Sequence, residues 1–173
     1  GRIYYIECNA LPSLAASASV FAAAAHDGLD FGQVIGTIVR SSARRAGLWK
    51  EENRENDTAP RRRSPLRVGF TYNVKRVQPT QDGSGSDEEA EFDNPLTIDA
   101  IATAIASHGH EVVHLEANAD LPRRLLSTPV DVVFNIAEGL RGRSREAHVP
   151  AVLELLGIPY TGSDAATLAV ALD

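Results

Sequence analysis

The stretch "VDVVFNIAEG", residues 130–139, constrains the fold more than any other. It is almost continuously apolar, with none of the in-out alternation of a half-exposed strand, so it reads as a strand buried on both faces. Both faces of a sheet are covered mainly where strands run parallel beneath helices. The surrounding pattern agrees. "LRVGFTYN" (66–73) and "EVVHLEA" (111–117) read as strands, and "PLTIDAIATAIASHG" (95–109) reads as a helix with Ile98, Ile101 and Ile105 along one side. A short helical or loop segment runs from Leu121 to Ser127. After the apolar strand comes a helix around Glu146 to Leu156 that turns Val149, Val152, Leu153 and Leu156 inward and ends at Gly157. Pro150 is tolerated only near a first turn, which moves that helix start past Glu146. A fourth strand leading into "YTGS" and an alanine-rich helix complete the chain. Repeated β-α-β units with short links predict an α/β fold with a Rossmann-like parallel sheet over 66–173.

Residues 1–48 form a separate block: a strand around Tyr4 to Ile6, then two helices. Ser19 to Asp27 is a short helix closed by Gly28, and Asp30 caps a second with Gln33 at its third position, a capping-box pattern. Phe31, Val34, Ile35, Ile38 and Val39 give this second helix one apolar stripe, which needs a surface to pack on. Between the blocks, residues 49–65 are nearly devoid of apolar side chains after Trp49 and end in prolines, as a solvated linker does. The 20 residues 74–93, with Gly83, Gly85 and a run of acids, make a loop longer than compact domains usually carry, with a disordered middle and an ordered end at Glu91-Phe92-Asp93.

Charge and motifs exclude several functions. Residues 66–173 carry 8 basic against 16 acidic groups, a poor match to nucleic-acid phosphates, and Arg61-Arg62-Arg63 reads as a solvated linker run. The longest apolar stretch, near Val20 to Ala25, is far short of the roughly 20 residues a membrane helix needs, and no signal peptide is visible. The expectation is a cytoplasmic protein with no membrane partner. Cys8 is the only cysteine, so no internal disulfide forms, and the missing start methionine marks the chain as a piece of something longer. There is no glycine-lysine phosphate loop and no glycine fingerprint between a strand and a helix, which disfavours a dinucleotide-binding oxidoreductase. The five histidines are scattered without metal-ligand spacing. Ser163 lacks a nucleophile-elbow context.

Three stretches carry a resemblance. "DVVFNIAEGLRGRSREAHVPAVLELLGIPYTGSD" (131–164) and "EFDNPLTIDAIATAI" (91–105) resemble the N-terminal domain of D-alanine–D-alanine ligases, members of the ATP-grasp superfamily. "YIECNALPSL" (5–14) resembles the closing part of their C-terminal domain. The order is inverted, tail before head. The resemblance therefore implies the strand and two helices left from one ATP-grasp module (1–48), a linker (49–65), and the pre-ATP-grasp domain of the next (66–173). Circular permutation is the rival account.

In such a ligase a Glu-x-Asn pair holds magnesium, or manganese, against the phosphates of ATP, and Glu7 and Asn9 match that pair. Polar residues at a strand end facing water are the plainer reading. Ser17 or Ser19 falls near a serine that contacts the second substrate, with helix N-capping equally open for Ser19. Glu91 aligns with a glutamate that receives the first substrate's ammonium, or it complements a helix start. Where the family commonly has His-Gly after the third strand, this chain has Glu138-Gly139 and an arginine-rich loop, a departure that points to an amino acid or carboxylate other than D-alanine. Glu138 is either catalytic or a solvated strand end; Tyr160 and Ser163 either line the substrate crevice or form a turn. The resemblance implies a carboxylate–amine ligase that uses ATP and acts through an acylphosphate, with its remaining ATP-grasp region outside this chain. A non-catalytic binding or assembly module on the same fold is the alternative.

Overall fold

The computed structural model describes residues 12–49, 64–76 and 92–171. Three parallel strands form one sheet: β1 (Arg67–Tyr72), β2 (Glu111–Glu116) and β3 (Val132–Asn135), in the order β2-β1-β3. The register pairs Phe70 with His114 on one side and Phe134 on the other, and Thr71 with Leu115 and Asn135. Alternate residues therefore face opposite layers. Val68, Phe70, Val132 and Phe134 face one core with helices α1 (Ser19–His26), α2 (Phe31–Arg45) and α3 (Pro95–Ser107). Leu115 and Val133 face a second core with α4 (Leu121–Ser127) and α5 (His148–Leu155). A last helix, α6 (Ala165–Ala171), buries Leu168 completely.

Both faces of β3 are covered, as its apolar run requires, but the strand is only four residues long. Past Asn135 the Ile136 N–H still donates to the Thr71 carbonyl at 3.0 Å, and side-chain bonds join in. The Asn135 Oδ1 accepts the Ala137 N–H at 3.3 Å, a local turn that competes with continued pairing. The expected fourth strand is reduced to one parallel bridge between Val133 and Tyr160. Pro159 has no N–H to add to a ladder, and the Thr161 hydroxyl, rather than a carbonyl, accepts the Asn135 N–H at 3.0 Å. A short 3₁₀ turn at Arg145–Ala147 precedes α5, which puts Pro150 in the first turn, where a proline fits.

The α2 capping box is present: Gln33 N–H donates to Asp30 Oδ1 at 2.7 Å and Asp30 N–H to Gln33 Oε1 at 2.8 Å. Its apolar stripe finds its surface on the sheet. Ile35, Val39 and Ala43 are buried in the same core as Phe70, Ile101 and Ile105, so packing runs across the boundary drawn at the linker. His108, just past α3, donates from Nε2 to the Gly32 carbonyl at 2.8 Å, and its ring passes so near Gly36 that any Cβ there would overlap it. α1 follows α2 onto this face through Phe21, whose ring lies 4.5 Å from that of Phe31. Ser19 is the first helical residue and not the cap, which is Ala18 without a side-chain bond; the capping explanation for Ser19 does not hold.

Because Ile35 is fully buried, Ile35→Ala should cost about 2–5 kcal/mol through lost transfer energy and the cavity left behind. Urea unfolding of the chain should show the midpoint falling within a single transition. An unchanged midpoint would place α2 outside the cooperative core.

Candidate functional site

In an open parallel sheet the crevice lies beyond the carboxyl ends of the strands, where the chain order reverses. Here β1 connects to β2 on one side, and the chain then crosses to β3 on the other. The reversal falls between β1 and β3.

Two buried polar side chains shape this crevice. Asn73, directly after β1, donates from Nδ2 to the Ala117 carbonyl at 2.8 Å and accepts the Gly139 N–H on Oδ1 at 3.0 Å. One carboxamide thus joins the ends of all three strands. Below it, Thr71 Oγ1 donates to Asn135 Oδ1 at 2.7 Å. Gly139 has φ of 79°, a conformation that disfavours a side chain, and a Cβ there would strike the Arg145 carbonyl. The loop after β3 is therefore closed tightly on itself.

Glu138 sits between these anchors. It is half-buried, close to Glu146 and Asp93, and hydrogen-bonded with Glu146. Burial first, then the charge of Glu146 and that shared hydrogen bond, then Asp93, push Glu138 up to about 8. Burial raises Asp93 to about 6. Asp93 is held by the backbone: its N–H donates to the Asn73 carbonyl and its carbonyl accepts the Lys75 N–H, both at 3.0 Å. The helix cap next to it is Asn94, whose side chain accepts the Leu96 N–H at 2.9 Å. Asp93 is thus free of the capping role expected of acids here. A carboxyl that carries its proton near neutral pH can give or take one there, and a cluster of crowded carboxyls favours a cation. Among the described residues no group of three or more His, Cys, Asp or Glu side chains is placed to hold a metal ion.

Tyr160 and Ser163 come together in a second, larger cleft of about 610 Å³, walled on one side by Ser42 and Arg45 of α2 and on the other by Glu154, Asp164 and Thr167. Ser42 Oγ donates to the Tyr160 carbonyl at 2.7 Å. The Tyr160 hydroxyl donates to Glu154 Oε1 at 2.5 Å; burial, then that bond, raise its pKa above the ordinary tyrosine value. It serves as a fixed donor. Ser17 and Ser19 are exposed and line neither this cleft nor a smaller one beside Gly139. Glu7, Asn9 and Glu91 lie outside the described residues.

Sequence reasoning singled out Glu138 but not its neighbours. Asn73 and Asn135 each close an otherwise apolar strand, a signal for a polar group with buried partners. Glu146 looked like a helix start, and its burial follows from the 3₁₀ turn.

These features define an open, all-parallel α/β sheet of Rossmann-like kind with a carboxyl-lined crevice at its switch point. Partial relatives narrow the class. The chain is 38% identical over 98 residues to the D-alanine–D-alanine ligase of Aquifex aeolicus, covering 57% of this chain and 32% of that one. It is 38% identical over 74 residues to the ligase of the same name from Moorella thermoacetica, 43% of this chain and 23% of that one. A Sinorhizobium fredii protein named uncharacterized protein y4sG is 40% identical over 73 residues, 38% of this chain and 22% of that one. The matches span between 22% and 32% of the length of these relatives. No protein-family model matches the chain. Part of the chain is thus similar to D-alanine–D-alanine ligases. No helix among the described residues is long and apolar enough to cross a membrane.

The raised Glu138 value has a sign. A carboxyl lifted from 4.5 to about 8 contributes stability that is complete below its unfolded value and is lost as pH rises through the folded one. Asp93 acts in the same direction between 3.8 and about 6. Glu138→Gln keeps the hydrogen-bonding shape without the charge. Its melting temperature relative to the native chain should rise steadily from about pH 5 to about pH 8, as followed by circular dichroism. A pH-independent difference would mean that Glu138 ionises normally.

Proposed function

We propose that this chain is part of an ATP- and magnesium-dependent carboxylate–amine ligase acting through an acylphosphate. The observation that carries this reading is the Glu138–Glu146–Asp93 cluster at the switch point, in a chain with partial similarity to proteins named D-alanine–D-alanine ligase. In the proposed reaction a substrate carboxylate oxygen attacks the γ-phosphorus of ATP and ADP leaves. The amine of a second substrate then attacks the acyl carbon, inorganic phosphate leaves, and the nitrogen loses a proton. Catalysis of this kind is mainly positioning and charge stabilisation.

The chain's part would be to bind and orient an amino-acid substrate. An ammonium arriving at these carboxyls would favour the ionised form of Glu138, which can exchange a proton near neutral pH. Tyr160 and Ser163 remain candidates for substrate contacts from the larger cleft. Magnesium or manganese enters through Glu7 and Asn9, and the ammonium contact of Glu91 through the resemblance. All three residues lie outside the described segments, so no step is derived through them. The remaining ATP-grasp region would supply the nucleotide pocket, and the 173 residues would be inactive alone.

The test is phosphate release by the whole protein supplied with ATP, magnesium and pairs of amino acids. Release should depend on an amino acid, and Glu138→Gln should lower kcat by roughly 10²- to 10⁴-fold. No release with any pair would contradict the ligase reading.

A further inference from the structure

Gly139 also walls a cavity of a different character, about 150 Å³ in volume. Ala117 and Leu121 line it from the end of β2 and the start of α4, Leu140 from the loop after β3, and Val149 and Val152 from α5. Ala117, Leu121 and Val149 belong to the second core and are buried, whereas Leu140 is 45% exposed. The cavity is a recess in the core, and Gly139, the chain neighbour of Glu138, is part of its wall. Asn73 holds that wall in place by accepting the Gly139 N–H and donating to the Ala117 carbonyl on the facing side. His148 is the only titratable residue lining it. Among the described residues of its wall an ionised side chain finds no carboxylate, lysine or arginine to pair with.

Volume and chemistry select an occupant. An apolar cavity of about 150 Å³ accommodates a benzene ring, and a methyl group would leave most of it empty. We propose that this cavity receives the side chain of an amino-acid substrate bearing a branched aliphatic or phenyl group, with the substrate's ammonium at the Glu138 and Asp93 carboxyls. The inference rests on the ligase reading and deepens it, from an amino acid in general to one with a bulky apolar side chain. It also bears on the departure at Glu138: the glutamate that stands where the family usually has histidine belongs to the acidic group, and the Gly139 that follows it belongs to the wall of the recess.

Calorimetric titration of the whole chain with leucine, phenylalanine and alanine, in both enantiomers, and with 4-methylpentanoate, which lacks the amine, tests this. One methylene in an apolar pocket discriminates by about 10-fold or more. Leucine or phenylalanine of one hand should therefore bind about 10- to 100-fold more tightly than alanine, and loss of the amine should cost at least about 10-fold. Leu140→Trp, at an exposed position, should fill the recess and erase the preference for the large side chains while the circular dichroism spectrum stays unchanged. Leu140→Ala should shift the preference toward phenylalanine. Equal affinities for alanine and leucine, no binding of either large amino acid, or a preference untouched by both variants would overturn the proposal. Phosphate release by the whole protein separates it from the ligase reading. Leucine bound without release in any pair would sink the ligase and keep the recess; release with alanine and not with leucine would do the reverse.

Discussion

The carboxamide of Asn73 is the interaction on which the rest of the crevice depends. A parallel sheet satisfies its backbone groups along each strand but leaves them open where strands end, and here those ends are covered by chain and cannot turn to water. Asn73 meets two such groups at once, on the neighbouring strand ends to its left and right. Leaving either unpaired would cost about 1–3 kcal/mol. Thr71, Asn135 and Thr161 repeat the device one layer down, with the Asn135 side chain and backbone linking β1 to the segment at Tyr160. Glu138 and Asp93 adjoin this frame through the backbone, since the Gly139 N–H donates to the Asn73 side chain and the Asp93 N–H to the Asn73 carbonyl. Burial and proximity, not any special chemistry of Glu138, raise its proton affinity.

At the opposite ends of the strands the bonding is looser and exposed. Arg67 donates to Glu111 and to the Pro129 carbonyl, and its N–H donates to Asp131. Surface pairs of this type add little. The asymmetry fits the usual division in α/β sheets, where one end carries function and the other only holds the strands together. α2 matters in a different way. It closes the face of the sheet that α3 alone leaves partly open, and its C-terminal turn supplies Ser42 and Arg45 to the larger cleft.

Much of this architecture was legible in the amino-acid order. The apolar run at 130–139, the Asp30–Gln33 box and the stripe from Phe31 to Val39 all depend on local periodicity, and each led to the right element. What escaped was the set of long-range substitutions of side chains for backbone. Nothing near Thr161 signals that its hydroxyl will replace a ladder carbonyl 26 residues away, so a strand was expected where one bridge exists. Nothing near Asn94 shows that the Asp93 backbone will bond with the end of β1 and with Lys75 while Asn94 caps the helix. Glu138 was singled out because its place at the end of a buried strand is readable. Its partners Glu146 and Asp93 reach it only through the fold.

The functional reading joins these levels. In the proposed site a parallel sheet creates the switch point, an asparagine joins the strand ends, and carboxyls and an apolar recess together receive an amino acid. Its foundation is the bond from Gly139 to Asn73, and amide hydrogen exchange at Gly139, followed by NMR, tests it most directly. If Asn73 holds the loop, the Gly139 amide exchanges as slowly as those of the β1 core, and Asn73→Ala speeds it to the rate of an open loop while the Val68 amide stays protected. A Gly139 amide that already exchanges at the loop rate in the native chain would contradict the account.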